Sequence, residues 1–207
     1  MRWALALLLA LSTGVGALYW VTDSFTVLTA EGARRQAIAL HAQALPDVQL
    51  LRADGQGVSL LQDLSSDGRV AIVNFFYSRC VSLCLAQGAQ TERLQRAIDE
   101  RGLSGQLRLL SISFDPRDGA PELSSYARRM HALPGIWRFL TLTDPAQRQR
   151  LLAIFGIVVV PAPLGQFEHN AAFHVVTANG RLARIIDLDD PGEALQVAQD
   201  LATRGPT

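Results

Sequence analysis

Cysteine is nearly absent from this 207-residue chain, which carries only Cys80 and Cys84. So low a count excludes a scaffold stapled by several disulfides. Charge of one sign is lacking too: formal net charge is zero and no long acidic or basic run occurs. That removes the electrostatic footprint of a nucleic-acid partner. Repeats and low-complexity segments are also missing. What is there is a 49% hydrophobic composition, enough for one domain with a sizeable core and an additional segment.

The additional segment is at the front. Arg2 precedes an apolar stretch over 3–21 with no charge, interrupted by Ser12, Thr13, Gly14 and Gly16. About twenty apolar residues cross a bilayer as a helix. A cleaved signal peptide ending at Val15-Gly16-Ala17 is one reading. An uncleaved anchor is the other and is preferred, because apolar character continues through Leu18-Tyr19-Trp20-Val21 and aromatic rings favour the far interface. Residues 1–22 are therefore expected to be a signal anchor and transmembrane helix, and 23–44 a tether. The domain over 45–204 is expected on the non-cytoplasmic side of an inner membrane, in the periplasm or its equivalent.

Within that domain, 47–51 and 58–60 read as short strands, and the apolar run 70–76 as a central strand covered on both faces. Helical spacing over 83–101 stops at Gly102. A strand over 107–114, a helix over 121–130 and a strand over 137–142 follow. Asp144-Pro145 starts a helix to about residue 155. A hairpin over 171–177 and 182–188 turns at Ala178-Asn179-Gly180, and Asp190-Pro191 opens a last helix to about residue 202. This order predicts an α/β fold with a mixed central sheet flanked by helices, and a thioredoxin-like architecture suits it.

The two thiols stand where the central strand meets a helix. A bridge between residues 80 and 84 closes a tiny loop and restricts the unfolded chain little, so chemistry explains the pair better than structure does. At spacing i, i+4 both sulfurs face one side of a helical turn. A helix N-terminus lowers thiol pKa, and Arg79 adds positive charge. Two thiolates suit Cu(I) or zinc, and equally suit dithiol–disulfide exchange. His169, ahead of the strand from Ala171, is a candidate third ligand that would let the site hold copper in both oxidation states. Pro163 lies too far upstream to take the place of the proline that precedes this strand in thioredoxin-like oxidoreductases.

Three stretches in order, Asn74-Phe75-Phe76-Tyr77-Ser78-Arg79-Cys80-Val81-Ser82-Leu83-Cys84, Ser111-Ile112-Ser113-Phe114-Asp115-Pro116-Arg117-Asp118 and Glu168-His169-Asn170, resemble the Sco/SenC family of copper-binding proteins. The resemblance covers roughly residues 46–202. It implies a thioredoxin-like fold and a copper site of Cys80, Cys84 and His169, holding Cu(I) or Cu(II). It also implies a metallochaperone anchored by its N-terminal helix. The implied partner is the copper-binding subunit of cytochrome c oxidase, or another exported cuproprotein, at its dinuclear centre. Asp115 matches a family aspartate and is either an outer-shell group or a turn residue of Asp-Pro; Asp118 carries the same two readings. The chain departs from the family pattern at Val81, Leu85, Ser82 and Glu168, which flank the three ligands without replacing them.

Two enzymatic alternatives compete. A thiol-disulfide oxidoreductase acting on cuproprotein cysteines through a redox-active Cys80–Cys84 pair needs no His169. A peroxiredoxin-type peroxidase is disfavoured, since Tyr77 replaces the expected Thr or Ser before Cys80 and no proline lies between Val70 and Cys80. His41 and His131 read as tether and helix-end residues. His174 lies within a strand and is expected to face away from His169, with extra ligation as its other reading.

Overall fold

Apolar runs and helix caps set the element boundaries in the computed structural model. It describes residues 2–21, 29–80 and 83–205, apart from the side chains of residues 4, 5, 18, 21 and 83–85. The chain divides into two compact units, residues 1–41 and 42–207.

The first unit holds helices α1 (Arg2–Val21) and α2 (Ala30–Leu40). In α1 the hydroxyls of Ser12 and Thr13 donate back to the Leu9 carbonyl, at 3.0 and 2.7 Å. Their polarity is thereby satisfied inside the helix. Among the described residues, however, no helix is long and apolar enough to cross a membrane. The transmembrane helix expected over 1–22 is thus not shown by the described residues. In α2, Thr29 caps the N-terminus by accepting the Gly32 N–H at 3.0 Å.

The second unit runs β1 (Gln43–Ala44), β2 (Gln49–Arg52), β3 (Gly57–Ser59), α3 (Leu60–Ser65), β4 (Val70–Phe76), α4 (Leu83–Glu100), β5 (Leu107–Ser113) and α5 (Ala120–Arg129). It continues with β6 (Trp137–Thr141), α6 (Pro145–Phe155), β7 (Val159–Ala162), a 3-10 turn (Pro163–Gly165), β8 (Gln166–His169), β9 (Ala172–Val176), β10 (Arg181–Asp187) and α7 (Pro191–Arg204). Eight strands form one sheet in the order β1-β10-β9-β4-β5-β6-β2-β3, and β7 and β8 form a separate hairpin. β4, β5 and β6 are mutually parallel, whereas the other pairs are antiparallel. The mixed α/β sheet is as expected.

Every residue of β4 and β5 is buried, which explains why neither strand alternates polar and apolar side chains. Successive side chains point to opposite faces: Phe76 meets Tyr126 of α5, and Phe75 meets Phe155 of α6. Asp144 caps α6 by accepting the Gln147 N–H, and Gly156 ends it in the left-handed region at φ 69°. Asp190 caps α7 in the same manner.

Three features differ from the sequence reading. β1, inside the stretch expected to be a tether, pairs with β10 at the edge of the sheet. Residues 58–60, read as strand, divide between β3 and α3 because the Ser59 hydroxyl caps a helix by accepting the Gln62 N–H. The β7–β8 hairpin was not foreseen, and Pro161 lies within β7. Pro163 lies in the hairpin's tip turn.

Candidate metal centre

Register brings the site's two loops together. Phe76 of β4 stands beside Ser113 of β5 in parallel pairing, so both strands release their following loops at one end of the sheet. The Tyr77 and Phe114 rings then pack at 5.5 Å. Asp118 ties the loops with its carboxylate, accepting the Ser78 N–H at 2.7 Å, the Ser78 hydroxyl at 2.5 Å and the Ser113 hydroxyl at 2.6 Å. Cys80 follows, half-buried, its N–H donating to the Tyr77 carbonyl at 3.3 Å.

Asp115 is fully buried and held by Arg117, whose backbone N–H, Nε and Nη2 lie 2.9, 2.8 and 2.8 Å from its oxygens. Arg79, next to Cys80 in the chain, adds a contact at 3.4 Å. Burial alone would raise the Asp115 pKa. The hydrogen bonds and charge of Arg117, with Arg79 behind them, outweigh it and hold the carboxyl below the usual range.

Cys84 is the second residue of α4, and its thiol lies outside the described side chains. One turn on, the buried Gln87 donates from Nε2 to the Phe75 carbonyl at 3.0 Å, which pins the start of α4 to the end of β4. His169 is the last residue of β8, opposite Val159. Its ring packs against Phe114 at 4.9 Å and Tyr77 at 6.2 Å. Nδ1 is 2.9 Å from the Asn170 carbonyl, which only accepts, so Nδ1 carries the proton and Nε2 the lone pair of the neutral ring.

Two side chains fasten the hairpin to the loops. The Tyr77 hydroxyl lies 3.0 Å from Gln166 Oε1 and accepts the Phe167 N–H at 3.3 Å. Arg117 donates from Nη2 to the Gly165 carbonyl at 2.7 Å and stacks over Phe167. The structure thus brings His169 beside Tyr77, three residues ahead of Cys80, and places Asp115 behind Arg79. Among the described residues no three His, Cys, Asp or Glu side chains gather as a metal site.

His174 is a core residue. It lies between Phe75 and Phe155, with its nitrogens 3.3 and 3.1 Å from the Val73 and Phe155 carbonyls. His41 closes α2, donating its N–H to Ala37, and His131 follows α5 at φ 49°. Sequence reasoning passed over Tyr77, Ser78, Ser113 and Arg117. The available signal was Asp115-Pro116-Arg117-Asp118, in which acids three apart follow a buried strand with no helix of their own to cap.

The sequence model of the SCO1/SenC family matches residues 37–204. The chain belongs to the SCO1/SenC family. No curated protein matches it. Among solved structures it is similar to a SCO1/SenC family lipoprotein from Bacillus anthracis, at 22% identity and TM-score 0.68 over 77% of this chain and 95% of that one. It is similar to Arabidopsis thaliana ScoI with copper bound, at 19% identity and TM-score 0.63 over 78% and 98%. A third is BsSco, described with a disulfide switch and as a member of the Sco family of cytochrome c oxidase assembly proteins, at 22% identity and TM-score 0.66 over 79% and 95%. These likenesses establish the Sco version of the thioredoxin-like fold, in keeping with the architecture expected from the sequence.

Proposed function

We propose that this SCO1/SenC protein binds copper through Cys80, Cys84 and His169 and delivers it to the dinuclear copper centre of cytochrome c oxidase. Copper is the cargo. Its presence in Arabidopsis thaliana ScoI supports the reading, as does the oxidase-assembly role given for the family of BsSco. The observation that carries it is His169. A half-buried imidazole is held against Tyr77 and Phe114 beside the Cys80 loop, with its lone pair on Nε2 by virtue of the Asn170 contact. Two thiolates favour Cu(I), and an imidazole extends the donor set to Cu(II). Copper titration followed by visible absorption tests this. The expected result is one copper per monomer, weakened in each of Cys80→Ala, Cys84→Ala and His169→Ala; undiminished uptake in His169→Ala removes the three-ligand site.

A second reading is thiol-disulfide exchange, favoured by the position of Cys84 in the first turn of α4, where the helix N-terminus stabilises thiolate. The dithiol would pass two electrons and two protons to a client disulfide and itself become the disulfide. Disulfide reduction that persists in His169→Ala and under chelator selects this role. Membrane attachment belongs to the same proposal: Trp3, Leu7, Leu8, Leu9 and Leu11 of α1 are all exposed, an apolar surface suited to a lipid environment.

A further inference from the structure

The end of α6 is a fixed point of the domain. The buried Phe155 packs edge-on against Phe75 and His174, and its carbonyl lies 3.1 Å from His174 Nε2. The left-handed Gly156 then turns the chain, with its own N–H returning to Ala153 O at 3.2 Å and the Ile157 N–H reaching Leu152 O at 2.8 Å. The β7–β8 ladder starts only at Val159, opposite His169. The Gly156 carbonyl and the Val158 N–H lie beyond that ladder.

The side chain of Asn170 takes up both groups. Its Oδ1 accepts the Val158 N–H at 2.7 Å, and its Nδ2 donates to the Gly156 carbonyl at 2.8 Å. These partners settle which amide atom is which, since a backbone N–H only donates and a carbonyl only accepts. One side-chain amide thereby serves residues 156 and 158 as the peptide groups of a neighbouring strand would, and it ties the residue after His169 to the end of α6.

The clamp bears on His169 through the backbone of Asn170, whose carbonyl lies 2.9 Å from Nδ1 of the ring. A neutral imidazole free in water keeps its proton mainly on Nε2, the nitrogen a metal would need. A carbonyl held at Nδ1 reverses that preference, because the hydrogen bond at one ring nitrogen decides the state of the other. Packing against Phe114 and Tyr77 sets the plane of the ring. Plane and proton are therefore governed by different groups.

We propose that Asn170 is a positioning residue for His169: its side chain, anchored on the end of α6, holds the carbonyl that keeps the imidazole proton on Nδ1 and leaves the Nε2 lone pair for the cargo ion. The consequence for copper rests on the three-ligand reading. Since the imidazole is the donor that extends two thiolates to Cu(II), Asn170 matters more for the oxidised ion than for the reduced one.

The test is long-range proton–nitrogen correlation spectroscopy of the isotope-labelled full chain, copper-free and reduced, at about pH 8, where an unperturbed imidazole is neutral. The wild type is expected to carry the His169 proton on Nδ1. Asn170→Ala removes the amide, and Asn170→Leu removes it while keeping side-chain bulk; in both the population should move to the Nε2–H form. The exposed His131 should give the same signals in all three chains. Circular dichroism should match the wild type. In copper titrations of the same variants, Cu(II) affinity should fall about 10–100-fold, the usual effect of losing a group that orients a ligand, and Cu(I) affinity should fall less. An Nε2–H form in the wild type, or an unmoved tautomer in both variants, would overturn the proposal. So would unchanged Cu(II) affinity in both variants beside a weakened His169→Ala. Undiminished uptake in His169→Ala removes the three-ligand site instead, and the tautomer of the copper-free chain then decides alone whether Asn170 sets the ring.

Discussion

Asp118 takes hydrogen bonds from a backbone N–H and two hydroxyls with one carboxylate, and the chain entering Cys80 depends on that arrangement. An amide in its place has one accepting oxygen and presents an NH2 to the remaining donors. Asp118→Asn is therefore expected to cost about 1–3 kcal/mol in stability. On the copper reading it should also weaken affinity about 10–100-fold, the usual effect of losing an outer-shell partner, as measured by chelator competition. Tyr77→Phe removes the hydroxyl that meets Gln166 and Phe167 and should cost about 1 kcal/mol in denaturant unfolding. His174→Gln should leave copper stoichiometry unchanged, because that ring lies in the core between Phe75 and Phe155. At this scale the sequence singles out Cys80, Cys84 and His169 because thiols are scarce in the chain and imidazole is a soft-metal donor. Tyr77 hides as the tail of an apolar run, and Asp118 hides in a turn whose composition also suits a loop without function.

Among the elements, β4 and β5 are legible because they are unbroken apolar runs, and α6 and α7 because Asp-Pro announces both. The β7–β8 hairpin is not legible: it borrows stability from Tyr77 and Arg117, far from it in the chain, and its own residues argue for a loop. α3 fails for a similar reason, being six residues long with a single hydroxyl cap. The hairpin's dependence on distant partners can be measured. Gly165 has φ 71°, and a Cβ there would lie 3.0 Å from Arg117 Nη1. Gly165→Ala is expected to cost about 1–2 kcal/mol in backbone strain and to displace Arg117 from the Gly165 carbonyl. Faster hydrogen exchange confined to β7 and β8 is the signature, and uniform protection there would refute the coupling.

For the whole molecule the most telling property is its response to acid. Asp115 is buried and Asp67 lies at the surface; partial loss of solvation pushes both toward the neutral form, yet Arg117 at the first, and Arg69 with Arg108 at the second, hold both below the usual carboxylate range. A carboxylate with a depressed folded-state pKa contributes stability above its unfolded pKa of about 4, and loses it as pH falls through the lower folded value. Stability should accordingly be level near neutrality and decline below about pH 4. Asp115→Asn should lower stability at pH 7 and flatten that decline, as followed by denaturant midpoints across pH. The arginine–aspartate cluster behind this response was invisible in the sequence, where Arg52, Asp63, Arg108 and Arg138 are scattered over four elements. The α/β class was legible because alternating strands and helices leave few topologies, while the strand order that assembles the cluster is set by long-range pairing.

The anchoring of the cysteine segment has a bearing on divergence. Its entry is held by Asp118 through Ser78, and its exit by Gln87 through Phe75. Both fastenings lie outside the span from Cys80 to Leu85, so Val81, Ser82 and Leu85 can depart from the family pattern without loosening the frame. Transplanting another family member's residues at 81, 82 and 85 is accordingly expected to retune the thiols while the host domain folds unchanged, as thiol titration and denaturant unfolding would report.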